Sequence, residues 1–414
     1  MKGMGSSKKI KDLSDRTFWL ANEDEIKRSE TTDVYFLYTL QILEKKGLDP
    51  RVVMEVYLRN LPYLDSWGVV SGIYEVAKLL EGLPLNVRAM EEGEVFLVSP
   101  NSVAYEPIIQ IKGRYRDFAK YENPILGLVC MSSGISSKAA RMKMHSGDKI
   151  VFSFGTRRSH PALAPTIERA TYIGGFDSVS NVLGARMMGK KPVGTMPHAL
   201  IQCFGDQKIA WKSFDEVMPK EVPRIALVDT FYDEKTEAIM AYEALGDKLY
   251  GIRLDTPRSR RGSWRKIIEE VKWELTIRGA DKVKIFISGG LDEEIILELR
   301  DIVDGFGVGT GVSNAPTLDF SAKIVELMVD DRDIFRAKRG DIAGRKDVYR
   351  AYNRFDDIVT FYKNPKPDGY YPLLSDLIVD GKIVRDFKSL DEIRESVLSK
   401  LKILKESKPT LRWV

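Results

Sequence analysis

Between residues 149 and 311 the chain repeats one pattern, a short apolar run followed by a stretch long enough for a helix. The runs are KIVFSFG (149–155), GFDSV (175–179), KPVGT (191–195), RIALVDT (224–230), LYGIRLD (249–255), KVKIFISGG (282–290) and GFGVGTG (305–311). Such βα units in series predict a parallel barrel or a doubly wound sheet. The repeat count, the lack of an early G-x-G-x-x-G and the polar residues at the run ends favour a barrel. In barrels the strand C-termini face the active site.

The flanks read differently. ETTDVYFLYTLQILEKK (30–46) spaces Val34, Leu37, Tyr38, Gln41 and Ile42 along one helical face, and Gly47 stops it. VVMEVYLRNL, before Pro62, reads as a second helix, and VVSGIYEVAKLL, before Gly82, as a third. LNVRAM, EVFLVSP and EPIIQIKG read as strands, giving an α+β domain. A long helix begins near residue 123 with NPILGLVCMSSGISSKAARMKMH. In the tail, Asp380–Gly381 between apolar runs marks a hairpin, and LDEIRESVLSKLKIL a final helix.

Composition narrows the function. A length of 414 residues implies two or three domains. A net charge of +4 lacks the concentrated basic face of a nucleic-acid binder. Cys130 and Cys203 are too few for a disulfide framework or a four-cysteine zinc site. No apolar run is long enough to span a membrane, and MKGMGSSKKIKDL lacks the apolar core of a signal peptide. A reducing, cytoplasmic location is the expectation.

Chemistry concentrates at the run ends. Arg157 and Arg158, after Phe154 and Gly155, suit an anionic substrate group or a wet basic turn. Gly289–Gly290 and Gly307, Gly309 and Gly311 suit phosphate, since backbone amides at glycine turns allow close approach. Arg253 and Asp255 alternate along one run, so both can face the barrel mouth. Asp255 could accept ribose hydroxyls or hold Mg²⁺, and Arg258, Arg260 and Arg261 follow in a basic loop. Asp229, with Thr230, is a further strand-end carboxylate or a helix cap. His198, one of three histidines, follows Gly194–Thr195 and a Met-Pro pair. Its spacing from His145 and His160 argues against zinc, leaving a surface histidine, a proton shuttle or a phosphoryl acceptor.

Taken in order, TTDVYF, SSGISSKAAR, FSFGTRRSHP, GGFDSVSNVLGA, PVGTMPHAL, LVDTF, IRLDTPRSRRG, ISGGLD and FGVGTGVS resemble an archaeal-type nicotinate phosphoribosyltransferase. The resemblance spans roughly residues 30–350. It implies an irregular α/β, TIM-like barrel (123–330) with an N-terminal α+β sandwich domain (30–122). A mobile lead-in (1–29) and a C-terminal segment packing on the N-terminal domain (331–414) complete the expected order. It also implies synthesis of nicotinate mononucleotide from nicotinate and 5-phosphoribosyl-1-pyrophosphate, coupled to ATP and using Mg²⁺, in a homodimer or higher oligomer with shared sites. In that scheme His198 is the phosphorylated histidine. Phe154 and, from the partner subunit, Tyr35 stack on the pyridine; Arg157 meets its carboxylate and Asp177 lies near the ring. Arg253 and Asp255 contact the ribose and diphosphate, with Asp229 on the diphosphate sugar. Gly289, Gly290, Gly309, Thr310 and Gly311 hold the 5′-phosphate. Quinolinate- or nicotinamide-specific transferases and a non-catalytic phosphosugar-binding barrel are the alternatives.

Overall fold

The computed structural model describes residues 16–99, 104–260, 262–329 and 332–414. Six parallel strands build the barrel wall, in the order Ser178–Val179, Ile150–Ser153, Gly305–Val308, Lys284–Ser288, Gly251–Leu254, Ile225–Leu227. Val151, Ile252, Ile287, Phe306 and Val308 are buried in the core formed with the surrounding helices. Glycines at every second position of the last strand make room inside. A Cβ on Gly307 would lie 2.3 Å from the Phe154 ring, and one on Gly305 would lie 2.9 Å from the Phe286 ring.

The run 191–195, expected as a strand, forms none. Pro192 and Pro197 have no N–H to give a ladder. The segment instead runs as a strap from the edge strand Ser178–Val179 to the strand Gly251–Leu254. Val193 N–H donates to the Val179 carbonyl at 2.9 Å, and Arg253 Nη1 donates to Thr195 Oγ1 at 2.7 Å.

A seven-stranded antiparallel sheet stands beside the barrel. Its order is Arg332–Phe335, Ser321–Val329, Arg51–Tyr57, Pro107–Arg114, Asn86–Ala89, Ser375–Val379, Lys382–Ile383. The expected helix VVMEVYLRNL is therefore the strand Arg51–Tyr57, paired on both edges. Residues 52–57 are buried on both faces, which hides the alternation a half-buried strand would show. The third expected helix is shorter than its run, Ile73–Leu80. Ser321–Val329 belongs to this sheet rather than to the barrel, although the sequence places it before residue 330. Asp380 and Gly381 turn the last hairpin with positive φ at both residues. A four-stranded sheet, Tyr370–Pro372, Lys346–Ala351, Asp356–Phe361, Thr410–Trp413, follows. It is tied to the first by the fully buried Lys346–Glu55 ion pair at 2.9 Å.

The lead-in is ordered where it is described. Asn22 and Glu25 form a capping box on the helix Glu23–Lys27, and Phe18 sets its ring edge-on to His160 at 6.2 Å. Next comes the helix Val34–Lys45, which buries only Phe36. Val34, Tyr35, Leu37, Tyr38 and Ile42 are all exposed. The apolar face that the spacing predicts is uncovered. No helix among the described residues is long and apolar enough to cross a membrane.

Candidate active site

At the C-terminal mouth of the barrel one imidazole meets two carboxylates. His198 is the first residue of the helix His198–Phe204, aimed by the strap before it. Its Nε2 lies 3.5 Å from Asp255 Oδ2 and 3.9 Å from Asp229 Oδ1. Its Nδ1 lies 3.0 Å from Thr230 Oγ1. The hydrogen bond with Asp255 raises the imidazole pKa against the opposing effect of burial, and the charges of Asp229 and Asp255 add to the rise. Burial pushes the Asp229 carboxyl up to about 6. Burial also works on Asp255, but the hydrogen bonds from His198 and Ser288 outweigh it and hold that carboxyl below its usual value. Ser288 Oγ donates to Asp255 Oδ1 at 2.7 Å, and Asp255 N–H donates to Asp229 Oδ2 at 2.9 Å. Asp229 Oδ1 is left buried without a hydrogen bond.

Within the barrel wall lies a cavity of about 120 Å³, lined from the strand starts at Ile150 and Ile225 to Phe154, Thr195, Gly307 and Arg253. The Arg253 guanidinium sits over the Phe154 ring, 5.8 Å from its centroid. Its Nη atoms are held by Thr195 Oγ1 and by the Met196 carbonyl at 3.2 Å, while its Nε is buried without a partner. A flat aromatic face beside an unused N–H of a permanent cation suits a planar aromatic carboxylate.

The glycine loops complete the mouth. Gly289, with φ +88°, would place a Cβ 2.9 Å from Asp255 Oδ1, so no side chain fits there. Gly311 packs against the loop before it, where a Cβ would stand 2.3 Å from the Leu291 carbonyl. The turns 289–291 and 309–311 thus abut as one backbone-lined cradle.

Comparison with known proteins follows the same lines. The quinolinate phosphoribosyl transferase N-terminal domain family matches residues 33–133, and its C-terminal domain family matches 135–323. Nicotinate phosphoribosyltransferase pncB1 of Mycobacterium tuberculosis is 30% identical over 357 residues, 77% of this chain and 77% of that one. The chain belongs to the nicotinate phosphoribosyltransferase family. The Bacillus subtilis nicotinate phosphoribosyltransferase is 27% identical, covering 86% of this chain and 78% of its own. Among solved structures, nicotinate-nucleotide pyrophosphorylase from Pyrococcus furiosus aligns with a TM-score of 0.90 at 53% identity, over 94% of this chain and 99% of that one. Human nicotinic acid phosphoribosyltransferase shares the fold, with a TM-score of 0.73 at 18% identity over 92% and 97%.

Not every residue that the resemblance implies for a nicotinate phosphoribosyltransferase site assembles at this mouth. Asp177 precedes the strand Ser178–Val179 and so lies at the opposite end of the wall. Its carboxylate is taken by Lys143 Nζ at 2.8 Å, Val151 N–H at 2.8 Å and Arg394 Nη2 at 2.6 Å. It is a structural clamp on the C-terminal helix Leu390–Glu406, not a ring contact. Arg157 lies in the turn after Phe154 with its side chain exposed, and Arg253, not Arg157, shares the cavity with Phe154. Tyr35 is 53% exposed on the uncovered helix face and does not line its own chain's cavity. Arg258 bonds Asp292, the cap of the helix Glu293–Leu299, at 2.9 Å; Arg261 lies outside the described residues. Thr195, Thr230 and Ser288, which hold Arg253, His198 and Asp255, carry no functional signal in the sequence, because a hydroxyl at a strand end has no distinguishing pattern.

Proposed function

We propose that the chain joins nicotinate to the ribosyl group of 5-phosphoribosyl-1-pyrophosphate, releasing pyrophosphate, in the salvage of pyridine for NAD. The observation that carries this is the buried, unused Nε of Arg253 beside the Phe154 ring. Among the described residues, Arg253 is the one cation lining that cavity. One cation matches the single carboxylate of nicotinate. Quinolinate, with two carboxylates, would leave one buried and unpaired, and neutral nicotinamide would forgo the charge-assisted bond.

The diphosphate sugar lies across the mouth, its 5′-phosphate on the backbone of Gly289, Gly290, Gly309, Thr310 and Gly311. Arg157 and Arg158, open to solvent at the rim, attract its charge. The donor set suits Mg²⁺: Asp229 keeps a buried oxygen without a hydrogen bond and Asp255 lies alongside. Mg²⁺ takes one or two carboxylates and completes its shell with phosphate and water oxygens. When bound, it would neutralise the departing diphosphate. As the bond from C1′ to the diphosphate breaks, positive charge develops on the ribose, and the Asp255 carboxylate stabilises it. The pyridine nitrogen is already nucleophilic, so the site supplies position rather than a general base. His198 accepts the γ-phosphoryl group of ATP as ADP leaves, and water later takes that group from the ring as inorganic phosphate.

The uncovered helix face also has a place in this scheme. Val34, Leu37, Tyr38 and Ile42 are exposed, and so are Val182, Leu183 and Met187 on the helix Val182–Met187, which follows the strand Ser178–Val179 at the mouth. Joining these two patches across a two-fold axis makes a homodimer that brings the partner's Tyr35 over the pyridine.

Equilibrium binding of nicotinate, nicotinamide and quinolinate, with pyrophosphate and Mg²⁺ present, tests the assignment. Nicotinate is expected to bind tightest to the wild type and to lose that preference in Arg253→Met. Equal affinity for all three ligands in the wild type would refute it.

A further inference from the structure

One carboxylate holds the loop that carries Asp229 and Thr230. Glu237, on the helix Glu234–Leu245, has no exposed surface. Its Oε1 accepts the backbone N–H groups of Phe231 at 2.7 Å and Tyr232 at 2.9 Å, and its Oε2 accepts that of Thr230 at 3.0 Å. Three consecutive amides converging on one buried carboxylate fix the loop backbone. Charge-assisted bonds of this kind are about twice as strong as neutral ones.

The fixed loop ends on His198. Thr230 Oγ1 lies 3.0 Å from Nδ1, while Nε2 faces Asp255 Oδ2 at 3.5 Å and Asp229 Oδ1 at 3.9 Å. Each ring nitrogen thus has a polar partner, and the Thr230 hydroxyl is the one that the held loop supplies.

We propose that Glu237 and Thr230 are positioning residues for His198: Glu237 fixes the loop, and the Thr230 hydroxyl fixes the plane of the imidazole. Neither residue touches substrate. The consequence for ATP rests on His198 being the phosphoryl acceptor. A ring free to flip presents its nucleophilic nitrogen to phosphorus only part of the time.

The chain has three histidines, so ring-¹⁵N labelling gives three rings, and His198→Asn assigns the one at issue. The wild type and Thr230→Ser are expected to give one sharp set of His198 ring signals. Thr230→Val and Glu237→Gln are expected to give doubled or broadened ones, with unchanged circular dichroism. The initial rate of ³²P transfer from γ-labelled ATP to the protein should fall about tenfold in Thr230→Val, the effect of one lost hydrogen bond, and recover in Thr230→Ser. A single sharp set in both Thr230→Val and Glu237→Gln overturns the proposal. Absence of label in the wild type would instead overturn the phosphoryl-acceptor reading, while the ring spectra still decide the positioning claim.

Discussion

Arg253 lies over Phe154, its guanidinium 5.8 Å from the ring centroid and its Nε buried with no partner. In the proposed reaction this pair is the face that takes the pyridine ring and its carboxylate. The strand supplies Arg253, the strap supplies Thr195 to hold it, and Gly307 leaves room for the ring.

Removing the cation should therefore be costly. Arg253→Met is expected to raise the KM for nicotinate about 100-fold, the loss of a charged hydrogen bond of roughly 2–3 kcal/mol. Arg253→Lys should recover little, because the ammonium lacks the planar fork that spans Thr195, the Met196 carbonyl and the ligand. Initial rates across nicotinate concentrations measure both, and an unchanged KM in Arg253→Met would remove the carboxylate from this position.

Asp177 should behave oppositely. Asp177→Asn breaks its ion pairs with Lys143 and Arg394, so it should lower stability by about 1–3 kcal/mol. The KM for nicotinate should stay at the wild-type value. Thermal unfolding and steady-state kinetics on one preparation separate the two effects; a raised KM with unchanged unfolding would return Asp177 to the ring.

His198 should titrate above the ordinary histidine value of about 6.5 in the Mg²⁺-free protein, since its hydrogen bond to Asp255 and the two nearby carboxylates favour the imidazolium. Asp255→Asn or saturating Mg²⁺ should lower that pKa, because each removes negative charge facing Nε2. Proton NMR of the imidazole reads it directly, and a pKa at or below the ordinary value would contradict the cluster. In His198→Asn the ratio of turnover with ATP to turnover without it should fall to about one, with no acid-labile phosphate on the protein. A ratio as large as that of the wild type would dismiss the phosphohistidine.

If Tyr35 completes the partner's site, two impaired variants should rescue each other at nicotinate concentrations near the wild-type KM. Refolding Tyr35→Ala with Arg253→Met in equal amounts gives half heterodimers, each with one intact site of two. About a quarter of wild-type activity should return. Activity no higher than the mean of the separate variants would show that each chain builds its own site.

The barrel was legible because its period is simple, with apolar runs ending in polar or glycine residues. His198, Asp229, Arg253, Asp255 and the glycine turns all sit at run ends, where one sequence position implies one spatial location. What failed was whatever depends on where a strand begins or what covers it. In GFDSV the strand is only Ser178–Val179, so Asp177 falls at its start rather than at the mouth. In KPVGT two flanking prolines leave the apolar run without a ladder. Arg51–Tyr57 is buried on both faces and so lacks the alternation that marks a strand. Glu237 was invisible for a different reason: a glutamate within a helix has no pattern to show that its carboxylate accepts three amides of a neighbouring loop.

The central claim is that this barrel transfers phosphoribosyl to a pyridine with one carboxylate. Its most direct test is turnover of the wild-type protein with 5-phosphoribosyl-1-pyrophosphate, Mg²⁺ and ATP, and with nicotinate, nicotinamide or quinolinate in turn, following pyrophosphate and the mononucleotide product. The prediction is nicotinate mononucleotide and equimolar pyrophosphate from nicotinate, with far slower reaction of the other two. Product from quinolinate alone, with release of carbon dioxide, would contradict it.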